Sequence, residues 1–390
     1  MTRPMTRREL FRRAAAGGAV LSLPSILAAC GSGGVQGTAS PPPAGPASAG
    51  GGLPSSITVS NWPLYIDVDE TTKTRPTLGK FAKATGIRVK YIEDINDNDS
   101  FFGKIQGPLS KGQSIDRDLI IPTAWLCARL KRLGWLQKLD KSLIPNRTNL
   151  LDSLQHPDWD PNRDYSMPWQ QFFTGVGYDP EKVGKDITKV TDLFDPKLKG
   201  KVTLLNSFED TIGLLLLELG SDPAKIDNAV YDKAIAMVQA QVDNGQIRQF
   251  TGNDYAPLLA KGDVWAAVAW SGDIVQLQPD HPGLKFIIPE AGGMTSVDTM
   301  VIPIGGNVAG ASTYMNFYYD PKIMAQVEAY VNYVPPVKGV SEAIAAIDPA
   351  LQKNELIFPS DATLAQLHEF DPSAFDNTEQ KQKWQTVMGA

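Results

Sequence analysis

The stretch Phe81-Ala82-Lys83-Ala84-Thr85-Gly86-Ile87-Arg88-Val89-Lys90-Tyr91 changes period at its glycine. Before it, Leu78, Phe81 and Ala82 recur at helical spacing, and Gly86 stands where a helix C-terminal cap belongs. After it, Ile87, Val89 and Tyr91 alternate with Arg88 and Lys90, as in a strand with one wet face. Upstream, Ile57-Thr58-Val59-Ser60 is a β-branched run that the turn-forming Asn61-Trp62-Pro63 ends. Downstream, residues 118–122 (DLIIP) predict a buried third strand and residues 125–133 a helix carrying Arg129, Lys131 and Arg132. The logic recurs in a second block: strand 201–205, helix 209–219 ending at Gly220, helix 230–242 and strand 263–269. Strands alternating with helices predict an α/β protein with a mostly parallel sheet in each of two lobes. No short repeat is visible, which argues against a solenoid or propeller.

The whole chain has 390 residues, 42% of them hydrophobic and 21% charged, enough to bury a core without disulfides or metals. With 37 Lys+Arg against 43 Asp+Glu the formal charge is −6, so nucleic acid is not an expected partner. Two Cys and three isolated His (His156, His281, His368) give almost no raw material for a zinc site, and no metal or other cofactor is expected. The chain holds no GxSxG, GxxxxGK[ST], HExxH or SxxK, and no GxGxxG in a strand–turn–helix setting. An enzyme is therefore not expected.

Residues 1–30 resemble a twin-arginine export signal joined to a bacterial lipobox. Arg7-Arg8 supplies the pair, an uncharged stretch follows from Ala14, and Leu27-Ala28-Ala29-Cys30 offers small residues before a Cys that can carry acyl chains. The bland alternative is an N-terminal membrane anchor followed by an incidental Cys. Residues 1–29 hold five Arg and one Glu, so their removal would leave a formal charge of −10. Cys127 would then be the only thiol outside the anchor, which leaves no internal disulfide. Residues 31–55 are rich in Gly, Ala, Ser and Pro and carry no charge, the composition of a flexible tether.

In open α/β sheets ligands bind beyond the carboxyl ends of the strands. Asn61, Trp62 and Tyr65 follow the first predicted strand, Thr123 and Trp125 the third. Asn206, Ser207, Glu209 and Asp210 follow strand 201–205, and Trp270, Ser271, Gly272 and Asp273 follow strand 263–269. Ser296, Val297 and Asp298 lead into a strand near Val301. Indole and phenol faces attract organic cations, and carboxylates hydrogen-bond ammonium groups. Each residue has a bland reading as well: a Trp can be a packing lid, Glu209 and Asp210 can answer a helix dipole, Asp298 can be a turn residue and Asp273 a cap. Tyr318-Tyr319 reads as packing within a helix.

The sequence resembles the spermidine/putrescine-binding family of extracellular solute-binding proteins for ABC importers. The matching stretches are Asn61-Trp62-Pro63-Leu64-Tyr65, the 81–89 segment, residues 118–123, Asp164-Tyr165-Ser166-Met167-Pro168-Trp169, Lys199-Gly200-Lys201, the run from Gly262-Asp263-Val264 to Trp270-Ser271-Gly272, and Glu290-Ala291-Gly292-Gly293 leading to Asp298. The resemblance implies a two-lobe periplasmic-binding-protein-like fold with its ligand in the interlobe cleft. It places lobe 1 at 56–167 plus 296–333 and lobe 2 at 168–295 plus 334–390. It implies ligand contacts from Trp62, Tyr65, Thr123, Trp125, Asp210, Trp270, Asp298 and Tyr333. Ser296 stands where spermidine binders carry Trp, and Ser207 where they carry a second acid, which leaves room for a shorter amine. The implied protein is a lipid-anchored monomer outside the cytoplasmic membrane that delivers a polyamine to an ABC permease. Two other classes stay open: a binding protein for another amine, an amino-acid derivative or ferric iron, and a secreted enzyme or adhesive lipoprotein on the same fold.

Overall fold

The computed structural model describes residues 53–389 apart from 372, 373 and 376, so the signal, Cys30 and nearly all of the tether lie outside the described residues. Among the described residues eleven strands form one mixed sheet: β1 (Ser56–Asn61), β2 (Arg88–Glu93), β3 (Leu119–Ile120), β4 (Leu136–Gln137), β5 (Ser166–Tyr178), β6 (Val202–Leu205), β7 (Ile247–Thr251), β8 (Ala266–Trp270), β9 (Lys285–Ile287), β10 (Gly293–Pro303) and β11 (Leu367–His368). The path runs β2-β1-β3-β10-β5-β8-β6-β7, with β4 and β11 on β10 and β9 on β5. β1 pairs in parallel with β2 and β3 at one end, and β6 with β7 and β8 at the other. Two long antiparallel strands join these parallel sets. β5 pairs with β10 from Ser166 to Thr174 and with β8 from Thr174 to Tyr178.

The period change at Gly86 is real. The helix Pro76–Thr85 is capped by Gly86 at φ 78°, a left-handed conformation that glycine reaches without a Cβ penalty, and the chain passes straight into β2. The predicted helices appear at Ala124–Arg132, Phe208–Glu218 and Asn228–Asp243. One continuous core runs from Ile57 and Phe81 through Trp169 and Leu215 to Trp384. Tyr318 and Tyr319 belong to it as packing residues: Tyr319 donates to Pro168 O at 2.7 Å, and Tyr318 is within 3.1 Å of the Thr77 hydroxyl. Cys127 is buried with a free thiol.

Two local features aim the chain. Between Asp298 and Thr299 the β10–β5 register slips, a bulge of the kind that redirects a side chain. At Gly272 a Cβ would lie 2.0 Å from the Tyr333 ring, so only glycine lets that ring pack on the turn after β8.

Candidate ligand-binding site

The carboxyl ends of β1, β3, β6, β7 and β8 converge on one cavity of about 330 Å³, at the small end of the roughly 300–1,000 Å³ usual for ligand pockets. Eight of the nine residues singled out from the sequence line it: Trp62, Tyr65, Thr123, Trp125, Asp210, Trp270, Asp298 and Tyr333. Ser296 does not. It pairs with Phe172 across the β5–β10 ladder, and Phe172 lines the cavity with its ring 6.2 Å from Trp270. An aromatic ring thus reaches the cavity from the position directly opposite Ser296.

Burial dominates the electrostatics. Asp298 accepts from Tyr65 at 2.9 Å and from Thr123 at 2.8 Å, yet loss of water pushes its carboxyl up to about 7 despite both donors. Thr123 is itself steadied by Asn98, whose amide donates to its hydroxyl at 2.8 Å. The Asp210 carboxyl accepts from the Thr174 hydroxyl and, at 3.3 Å, from the Trp270 indole N–H, and burial raises its pKa as well. Glu209 accepts from the Trp125 indole at 3.0 Å, and burial, then the charge of Asp210, raises its pKa well above the usual range. Ser207, where the resemblance suggested a lost acid, lines the same cavity.

Asp273, placed after strand 263–269 but left out of the implied contacts because an acid there reads equally well as a cap, also lines the cavity. It lies in the first turn of the helix Ser271–Leu277, buried, accepting from Tyr255 at 2.7 Å and Tyr333 at 2.8 Å, with its pKa raised by burial. Asn253, which also lines the cavity, reaches it at 3.5 Å, and its own Oδ1 is buried without a hydrogen-bond partner. Tyr65 packs edge-on against Tyr333 at 4.9 Å, which links Asp298 and Asp273 through two phenols. Trp62, held by donation to Ile121 O at 2.8 Å, meets Trp270 edge-on at 6.2 Å.

Trp125 also meets the C-terminal segment: Phe375 lies flat on it at 4.4 Å and 4°, so one face of this indole is covered. Four buried carboxylates beside electron-rich rings suit an organic cation with ammonium ends, since each ammonium offers three donors and each ring a negative face. Among the described residues no group of three or more His, Cys, Asp or Glu could hold a metal ion.

Comparison with known proteins shows the family. Residues 78–359 match the family model described as bacterial extracellular solute-binding protein. The putrescine-binding periplasmic protein SpuD of Pseudomonas aeruginosa is 30% identical over 332 residues, covering 80% of this chain and 86% of that one. The spermidine/putrescine-binding periplasmic protein of Escherichia coli is 25% identical over 311 residues, covering 78% and 83%. A solved structure described as a spermidine/putrescine ABC transporter of Listeria monocytogenes superposes with a TM-score of 0.74 at 25% identity, over 86% of this chain and 98% of that one.

Proposed function

The chain belongs to the bacterial extracellular solute-binding protein family, and we propose that it captures a short di- or polyamine and hands it to an ABC permease. It is a binding protein and not an enzyme, as its relatives are. The observation that carries the amine reading is the cavity itself: Asp298, Asp273, Asp210 and Glu209, all buried, line one space with Trp62 and Trp270. Carboxylates held so far from water are unfavourable when charged and unpaired, and a bound ammonium relieves that cost. Metal-ion cargo such as ferric iron is less well served, because these acids are spread among tyrosines and indoles and are not clustered.

The lobes are 56–167 plus 296–333 and 168–295 plus 334–390, and they close over the ligand. Export through Arg7-Arg8 and acylation at Cys30 hold the monomeric protein at the outer face of the membrane, with residues 31–55 as the tether. Among the described residues no helix is long and apolar enough to cross a membrane, which fits an anchor confined to the leader. Calorimetry on ligand-stripped protein tests the amine reading: heat is expected with putrescine, and no heat with putrescine, spermidine or agmatine overturns it.

A further inference from the structure

Glu328 is a buried acid behind the cavity. It sits on the helix Pro321–Val331, fully buried and outside the cavity lining. A carboxyl so placed is costly unless hydrogen-bonded, and two donors serve it. Gln170, buried on β5, donates its side-chain amide to Oε1, and the Tyr333 backbone N–H donates to Oε2 at 3.2 Å. Both donors are neutral, and burial raises the pKa of Glu328 well above the ordinary range against them, which favours its uncharged form.

These bonds meet where the chain turns into the site. The helix ends on Asn332 in a left-handed conformation, φ 61°, so Tyr333 leaves it sharply. Val334 then exchanges both backbone hydrogen bonds with Gln171 of β5, at 2.9 and 3.0 Å. Tyr333 is thus fixed by Glu328 at its own N–H and by β5 one residue later, and its hydroxyl reaches Asp273 at 2.8 Å. Gln170 stands opposite Asp298 in the β5–β10 ladder. The Glu328 carboxyl therefore ties the backbone of the residue that serves Asp273 to the strand position facing Asp298.

We propose that Glu328 is a positioning residue for ligand capture: from behind the cavity it holds Tyr333 where the phenol orients Asp273 toward a bound ammonium. The proposal rests on the amine reading of the cavity. A buried backbone N–H stripped of its acceptor is unfavourable, and the relaxation that finds it another draws the Tyr333 hydroxyl away from Asp273.

Glu328→Met keeps the length of the side chain and removes both acceptors. Glu328→Gln keeps an acceptor for Tyr333, and Gln170, whose own Oε1 is buried without a hydrogen-bond partner, can turn its amide to meet the new one. Ligand-stripped wild type and variants are titrated with putrescine by calorimetry, and melting temperature checks the fold. Glu328→Met is expected to bind at least about fivefold more weakly, and Glu328→Gln within about twofold of wild type. A double-mutant cycle with Tyr333→Phe separates positioning from a general loss of stability. Once the phenol hydroxyl is gone, Glu328→Met is expected to cost less than about twofold further. The same cost in both backgrounds, a loss in Glu328→Met below about fivefold, or a loss in Glu328→Gln as large as that in Glu328→Met overturns the proposal, while the wild-type heat leaves the amine reading standing. Should Glu328→Met not fold, Glu328→Gln still decides: a loss beyond about fivefold in a variant that keeps its acceptor overturns the proposal. Silence of the wild type with putrescine, spermidine and agmatine overturns the two together.

Discussion

The Tyr65 hydroxyl donates to Asp298 Oδ2 over 2.9 Å, joining the loop after β1 to the bulge of β10 across 233 positions of chain. Thr123 serves the other oxygen at 2.8 Å, so the carboxylate is oriented by two neutral donors and neutralised by none. Asp298→Asn retains the shape and deletes the charge. A desolvated charge-assisted contact left unpaired costs roughly 2–5 kcal/mol, so amine affinity is expected to fall by at least about tenfold. Calorimetry checks this, and unchanged affinity would remove Asp298 from the site.

The same carboxyl makes the empty protein sensitive to pH. Its pKa is raised from 3.8 to about 7, so the folded state holds the proton more tightly than the unfolded one. By linkage, its contribution to stability is complete below the unfolded value and is lost as pH rises through about 7. Ligand-free wild type is therefore expected to lose melting temperature between pH 5 and 8 relative to Asp298→Asn, all else equal. Amine binding runs the other way: the ammonium needs the carboxylate, so affinity weakens below about pH 7 by up to about tenfold per unit, with proton release on binding. Titration in buffers of different ionisation enthalpy measures that release.

Gly272 lets Tyr333 reach Asp273. A Cβ there would stand 2.0 Å from one ring carbon and 2.1 Å from another, a clash only a displaced ring can relieve. Gly272→Ala is expected to destabilise the protein by about 1–3 kcal/mol and to weaken amine binding, since the Tyr333–Asp273 bond at 2.8 Å is lost with the ring. Tyr333→Phe deletes that bond without the clash and should leave stability less affected. Equal unfolding free energies for Gly272→Ala and wild type would defeat the packing account.

These examples also show why the sequence revealed some of the site and hid the rest. Trp62, Thr123, Asp210 and Trp270 follow strands whose apolar runs are unmistakable, and the rule for open sheets turns that order into position. Strand pairing is another matter. Phe172 lies within the nearly all-buried β5, where no alternation marks which side chain faces a ligand, and its opposition to Ser296 exists only once β5 and β10 have met in register. The helix Thr378–Met388 is mostly polar and follows only the two-residue β11, so nothing local indicates that Trp384 packs on Phe250 or that Phe375 covers Trp125. Long-range partners are properties of the assembled core.

The leader carries its own expectation. Leu27-Ala28-Ala29-Cys30 puts small residues before a thiol, and Arg7-Arg8 precedes an uncharged stretch. Cys30→Ser is expected to release or misprocess the protein, and Arg7→Lys with Arg8→Lys to stop export. Intact mass of the mature form without acylation at Cys30 would overturn the anchor.

Closure is the last expectation. Trp62 beyond β1 touches Trp270 at the end of β8 at 6.2 Å, and Trp125 beyond β3 donates to Glu209 beyond β6 at 3.0 Å. Both contacts run between the two parallel sets of strands, so separating those sets would break them and open the cavity. Without ligand they must hold four carboxylates away from water, and that desolvation opposes them; a bound ammonium offsets it. Putrescine is therefore expected to make the protein more compact, to change tryptophan emission, and to raise stability by RT ln(1 + [L]/Kd), about 2.7 kcal/mol at a hundredfold excess over Kd. Trp125→Phe removes the donor to Glu209 while keeping a ring against Phe375, and should favour the open form and speed ligand release. Small-angle scattering profiles of the wild type that superimpose with and without a ligand shown by calorimetry to bind would rule out hinge closure.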